Sequence, residues 1–209
     1  MENVISNSSL KENNLFKDSL ITKVQKIIWW VMLLVFALLC VYALVMSTIV
    51  SNLMFYDEDL LTKVKPYNDI IILLGIFGIL FAFGYKITRS NIRGKYYISN
   101  FVYMTIQSLY TLAAGVVSLI AVIKYQSFYN GLDFTDINET FELTKPGITM
   151  NASDGTGMFI FGYILSGIII LVTLLSVYVL VGKFLKEKNA NKIVENVEDT
   201  ASADADLAK

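Results

Sequence analysis

The chain has no histidine and only one cysteine, Cys40, among its 209 residues. Without histidine it lacks the side chain that most often acts as a general base and most often binds a metal. A single cysteine excludes an internal disulfide bond and any metal centre built from several thiolates. The net charge is −1, so there is no basic excess of the kind that attracts nucleic acid. We therefore expect no nucleic acid partner.

Charge is also scarce, because only 17% of the residues are charged whereas 55% are hydrophobic. A soluble domain has roughly a quarter of its residues charged. The apolar residues lie in four long runs, and about 20 such residues are enough for a helix to cross the hydrocarbon core of a bilayer. The sequence therefore predicts an all-α integral membrane protein, a bundle of four transmembrane helices, with spans at Ile27–Val50, Ile70–Tyr85, Phe101–Ile123 and Met158–Gly182.

The basic residues are distributed unevenly between the segments that flank these spans. Thirteen of the 17 lysines and arginines lie before the first span, between the second and third, or after the fourth. Loops rich in lysine and arginine stay on the cytoplasmic side. We therefore expect a multi-pass protein of the plasma membrane with both termini in the cytoplasm.

The predicted spans and their orientation divide the chain into three parts. Residues 1–26 form a cytoplasmic segment whose helical pattern is interpreted either as an amphipathic helix on the membrane surface or as a simple extension of the first span. Residues 27–185 form the transmembrane domain. Residues 186–209 form a cytoplasmic tail that starts as a helix and becomes disordered beyond about Asn196, where the sequence is acidic and of low complexity. In the first outer segment, acidic residues near Asp57 predict a short interfacial helix that Pro66 ends.

The second outer segment, residues 125–157, is the largest piece outside the spans. Pro146 and Gly147 form a type II turn signal, and β-forming residues on both sides predict a small outer β-hairpin. An acidic residue recurs at every third position, at Asp133, Asp136, Glu139 and Glu142. This series is interpreted as a solvated face, as part of a docking surface for a partner, or as a calcium site. The candidate docking residues are Phe134, Asp136 and Phe141.

Small and polar residues form stripes along the predicted spans. Helices associate in lipid through small residues that let backbones approach, so these stripes predict helix packing. A pathway for a ligand is the alternative interpretation, although no charged residue lies within a span core. The candidate residues for packing or a pathway are Gly75, Gly78, Gln107, Ser166, Thr173 and Ser176.

The sequence contains no glycine-rich phosphate loop, nucleophile elbow or metalloprotease motif, so we expect no enzyme activity, no cofactor and no metal. Two functions remain open. The first is an accessory, assembly or regulatory subunit that acts through its helix seams and the loop 125–157. The second is a small transporter or oligomeric pore lined by spans three and four. The expected partners are the lipid bilayer and either another protein or further copies of this chain.

Overall fold

The computed structural model describes residues 20–53, 58–90, 97–144, 147 and 149–207, and for residues 186–207 and a few others, including Phe141, the backbone alone. Every regular element in these ranges is helical. The helices are α1 (Leu20–Leu53), α2 (Glu58–Ser90), α3 (Tyr97–Asn130), α4 (Phe134–Thr144) and α5 (Thr156–Leu207), with a 3₁₀ turn at Ala152–Gly155.

Four of these helices are long and apolar enough to cross a membrane. The segments that meet this condition are Lys23–Ile49, Thr62–Thr88, Ile98–Asn130 and Ala152–Leu185. The prediction of four long apolar helices is therefore confirmed. Each apolar segment begins before its predicted span, and the last three also end after it, because the helices continue through flanking polar and aromatic residues.

The four long helices form a ring in which each helix packs against two others. The most extensive interfaces are α1 with α2 and α3 with α5, and contacts of α2 with α3 and of α1 with α5 close the ring. A hydrogen bond from Gln25 to Thr88 joins the beginning of α1 to the end of α2, so these helices run antiparallel. This is the arrangement of an up-down four-helix bundle. Below, the N-terminal end of the bundle is the end that holds Gln25 and Thr88, and the loop end is the opposite one.

The prediction of an outer β-hairpin is wrong for its first arm, because residues 140–144 belong to helix α4. Asp133 caps this helix by accepting hydrogen bonds from the backbone N–H groups of Thr135 and Asp136, at 3.0 and 3.4 Å. Residues 149–151 have no regular structure, and Pro146 and residue 148 lie outside the described residues. Gly147 has a φ of 89°, which is the left-handed conformation that the third position of a type II turn requires.

Two further expectations differ from the structure. Pro66 lies inside α2 and does not end a separate helix. It removes one backbone donor, but the neighbouring residues Val64 and Ile71 are buried in the bundle and hold the helix in place. The backbone of α5 is helical to Leu207, past Asn196, where composition led us to expect disorder. Of the predicted N-terminal amphipathic helix, residues 14–19 lie outside the described residues, and residues 20–27 form the start of α1, so this part of the segment is a helical extension of the first long helix.

Candidate functional site

The centre of the bundle is lined by neutral polar side chains from α3 and α5. Their spacing of three, four or seven residues places them on one face of each helix. All of them are buried: Gln107, Thr111 and Ser118 on α3, and Ser166, Thr173 and Ser176 on α5. The structure therefore places the predicted polar candidates of spans three and four together in the interior.

Several of these hydroxyl groups bond to their own helix. Ser166 donates to the carbonyl oxygen of Gly162 at 3.0 Å, and Thr173 donates to that of Ile169 at 3.1 Å. A hydroxyl that bonds four residues back is satisfied without a partner on another helix. These two side chains therefore need no ligand.

Gln107 has the largest polar side chain on this α3 face, and its exposed fraction is 0%. Its Nε2 donates to the hydroxyl of Thr111 at 2.9 Å and contacts the sulfur of Met32 on α1 at 3.3 Å. Its Oε1 has no hydrogen-bond partner in the protein. Gln107 thus connects α3 to α1, but only through a weak sulfur acceptor.

Other buried polar atoms also lack a partner within the described part of the chain. They are Gln25 Oε1, Trp29 Nε1, Tyr42 Oη, Tyr85 Oη, Ser108 Oγ, Ser118 Oγ and Ser176 Oγ. No charged side chain is buried among the described residues. The interior is therefore polar but neutral, which does not favour a pathway for ions through a single bundle.

Gly75 and Gly78 lie on α2 where it packs against α1. A Cβ atom at Gly75 would collide with the sulfur of Cys40 and lie 3.2 Å from the carbonyl oxygen of Phe36. A Cβ atom at Gly78 would overlap the ring of Phe36. These contacts show the close backbone approach that small residues permit.

A second candidate site is helix α4, which covers part of the loop end. The ring of Tyr129 contacts the rings of Phe134 and Phe159, with centroids 5.3 and 5.5 Å apart. Ile137 is buried beneath the helix. Asn138 forms two hydrogen bonds with the backbone of Met150, accepting from its N–H at 2.7 Å and donating to its carbonyl oxygen at 2.9 Å. Helix α4 is therefore fixed to the bundle by packing and by polar contacts.

The three predicted docking residues have different environments. Phe134 is half-buried in the aromatic cluster, Asp136 is exposed, and the side chain of Phe141 lies outside the described residues. Sequence reasoning missed Leu143, which is 88% exposed although it is apolar. Because positions 136, 139 and 143 share one side of a helix, Asp136, Glu139 and Leu143 form a single exposed surface, called here the α4 face.

Within the described ranges, no three acidic, cysteine or histidine side chains come together as a metal site. The calcium interpretation of the acidic series therefore has no geometric support. The chain matches no known family model, and comparisons with curated proteins and with solved structures found no similar chain. The arguments for a function rest on the two candidate sites.

Proposed function

We propose that this protein is a non-enzymatic multi-pass protein of the plasma membrane that serves as an accessory, assembly or regulatory subunit. Both termini lie in the cytoplasm, and the α4 face binds a protein partner on the outer side. The observation that carries this proposal is the exposure of Leu143 beside Asp136 and Glu139 on a helix that is fixed to the bundle. The lysine and arginine distribution supports the orientation.

The α4 face is suited to binding because it is ordered before a partner arrives. Asp133 caps the helix, Ile137 is buried, and Asn138 ties the helix to Met150. Ordering a segment on binding reduces affinity, so a surface that is already ordered avoids this cost. A central apolar side chain surrounded by polar residues is a common arrangement of binding hot spots.

The chemistry of the α4 face favours a protein over a lipid surface. Leu143 lies outside the four apolar segments, so the lipid chains around those segments do not cover it. Asp136 and Glu139 would be repelled by anionic lipid headgroups, which attract basic residues. We infer that the partner offers an apolar pocket for Leu143 and basic residues around it, because complementary charge speeds association and selects the partner.

The test is affinity purification from native membranes in mild detergent, with single substitutions on α4. Glu139→Lys reverses a charge on the α4 face and Leu143→Ala removes the apolar anchor. Lys65→Glu also reverses the charge of an exposed side chain, but on α2, outside the α4 face, and serves as the control. We expect a partner with the unchanged protein and the control, and binding about 30-fold weaker or worse after Leu143→Ala, since a hot-spot side chain contributes about 2 kcal/mol or more. Equal recovery of one partner with all four proteins would contradict the proposal.

The unpaired polar atoms of the interior favour a second candidate, a small transporter or oligomeric pore lined by α3 and α5. Flux of small solutes or ions through liposomes that contain the purified protein tests it. Flux that Gln107→Leu changes while assembly is unaffected would support this candidate. A protein that supports no flux would exclude it.

A further inference from the structure

Six of the unpaired buried atoms lie in the half of the bundle near its N-terminal end. Gln25 marks one limit of this region through its 3.3 Å hydrogen bond to Thr88 on α2. Met32 marks the other limit through its 3.3 Å contact with Gln107 on α3. Seven residues separate Gln25 from Met32 along α1, which corresponds to about 10 Å. The region is therefore about two helical turns long.

All four long helices contribute to this region. Tyr85 precedes Thr88 by one turn, and its hydroxyl approaches that of Ser176 on α5 without reaching hydrogen-bond geometry. This region is called the polar half. Its six unpaired atoms are Gln25 Oε1, Trp29 Nε1, Tyr85 Oη, Gln107 Oε1, Ser108 Oγ and Ser176 Oγ. Of the eight unpaired buried side-chain atoms in the described part of the chain, only those of Tyr42 and Ser118 lie elsewhere.

The polar half contains both donors and acceptors, and all of its groups are neutral. The indole of Trp29 can only donate, the amide oxygens of Gln25 and Gln107 can only accept, and the hydroxyl groups of the other three residues can do both. A buried polar group without a partner costs about as much as a lost hydrogen bond. Six such groups together rival the net stability of a whole domain, so a bound species must satisfy them.

We propose that the polar half is a binding site for a cluster of internal water molecules that links α1, α2, α3 and α5. Water donates and accepts, which matches the mixed set of groups, and it fits between packed side chains where a larger solute does not. Ion pathways within a membrane are usually marked by acidic or basic residues at depth, and no charged side chain is buried among the described residues. Because the unpaired atoms are concentrated in one half, the hydrated region ends inside a single bundle, whereas a pore would need a polar lining along its whole length.

The test is X-ray radiolytic footprinting of the full-length protein in detergent. Radiolysis of a bound water oxidises the side chains next to it, even where bulk solvent has no access. Met32 is the reporter, because it is 1% exposed and contacts Gln107. We expect Met32 to be oxidised at a rate comparable with that of the half-buried Met150 on the loop. If Met32 stays unoxidised at doses that oxidise Met150, the proposal is overturned.

Variants distinguish bound water from leakage of bulk solvent. Tyr85→Phe removes one hydroxyl of the polar half with little change in volume, and Gln107→Leu removes the amide. Thr105→Val is the matched control, because the Thr105 hydroxyl is bonded to the carbonyl of Phe101 and faces away from the interior. We expect Met32 oxidation to fall several-fold in the first two variants and to be unchanged in the control. The proposal would also be overturned if Met32 were oxidised at the rate of the unchanged protein in all three variants, while the variants kept the particle size and helix content of that protein.

Discussion

The interface of α1 and α2 predicts that a larger side chain at Gly75 destabilises the protein. A Cβ atom at this position would overlap the sulfur of Cys40 and would lie 3.2 and 3.3 Å from Phe36 O and Cys40 N. The sulfur can move by rotation of its side chain, but the two backbone atoms move only if the helices separate. Gly167 is the matched control, because it lies in the middle of the apolar segment of α5 with nothing within 4 Å of an added Cβ atom.

The expected change in the free energy of unfolding is the sum of two opposing contributions. An added methyl group in a packed interior costs about 1–3 kcal/mol. Replacing glycine by alanine in a helix gains about 1 kcal/mol. Gly75→Ala is therefore expected to destabilise the protein by about 0–2 kcal/mol, and Gly75→Leu by more. Gly167→Ala has only the favourable term and is expected to be neutral or stabilising by up to about 1 kcal/mol.

The assay is reversible unfolding in mixed micelles with increasing denaturing detergent, followed by circular dichroism. Cys40→Ala in the Gly75→Ala background removes the overlapping sulfur and should recover part of the loss, with a coupling of at least about 0.5 kcal/mol. Equal stability of Gly75→Ala and Gly167→Ala, with no coupling to Cys40, would refute the close packing of α1 on α2.

Two further predictions concern the attachment of α4, and hydrogen exchange measured by mass spectrometry checks both. Asn138→Ala removes both hydrogen bonds to the backbone of Met150, so the segment around Met150 should be destabilised locally by about 1–3 kcal/mol and exchange faster, while the long helices are unchanged. Asp133→Ala removes the cap of α4 and should destabilise this helix by about 0.5–2 kcal/mol, so that its first turn loses protection. Exchange at the wild-type rate in either variant would show that the corresponding contact does not hold α4 in place.

The long helices could be predicted from the sequence because span length and apolar composition follow directly from the thickness of the bilayer. Sequence periodicity also placed Gln107 on an interior stripe of α3, and Thr173 and Ser176 on an interior stripe of α5. It could not identify which polar atoms are left unpaired, since the pairing of Gln107 with Met32 depends on how the helices are placed against one another.

The loop end was predicted less well, for a physical reason. β-forming residues near Thr140 indicated a strand, but their propensity is weak and depends on context. The cap at Asp133 and the burial of Ile137 favour a helix, and both are tertiary or local features that a propensity count does not weigh. Leu143 was missed because its exposure is visible only once α4 is placed on the bundle.

The most direct test of the proposed function is photocrosslinking in native membranes with a photoreactive amino acid at position 143. The same residue at position 174, where Leu174 is exposed on the apolar surface of α5, serves as the control. The proposal predicts one discrete protein adduct from position 143 that Glu139→Lys abolishes, and none from position 174. The absence of a protein adduct at position 143, in membranes where the protein is present and folded, would contradict the assignment of the α4 face as a docking surface.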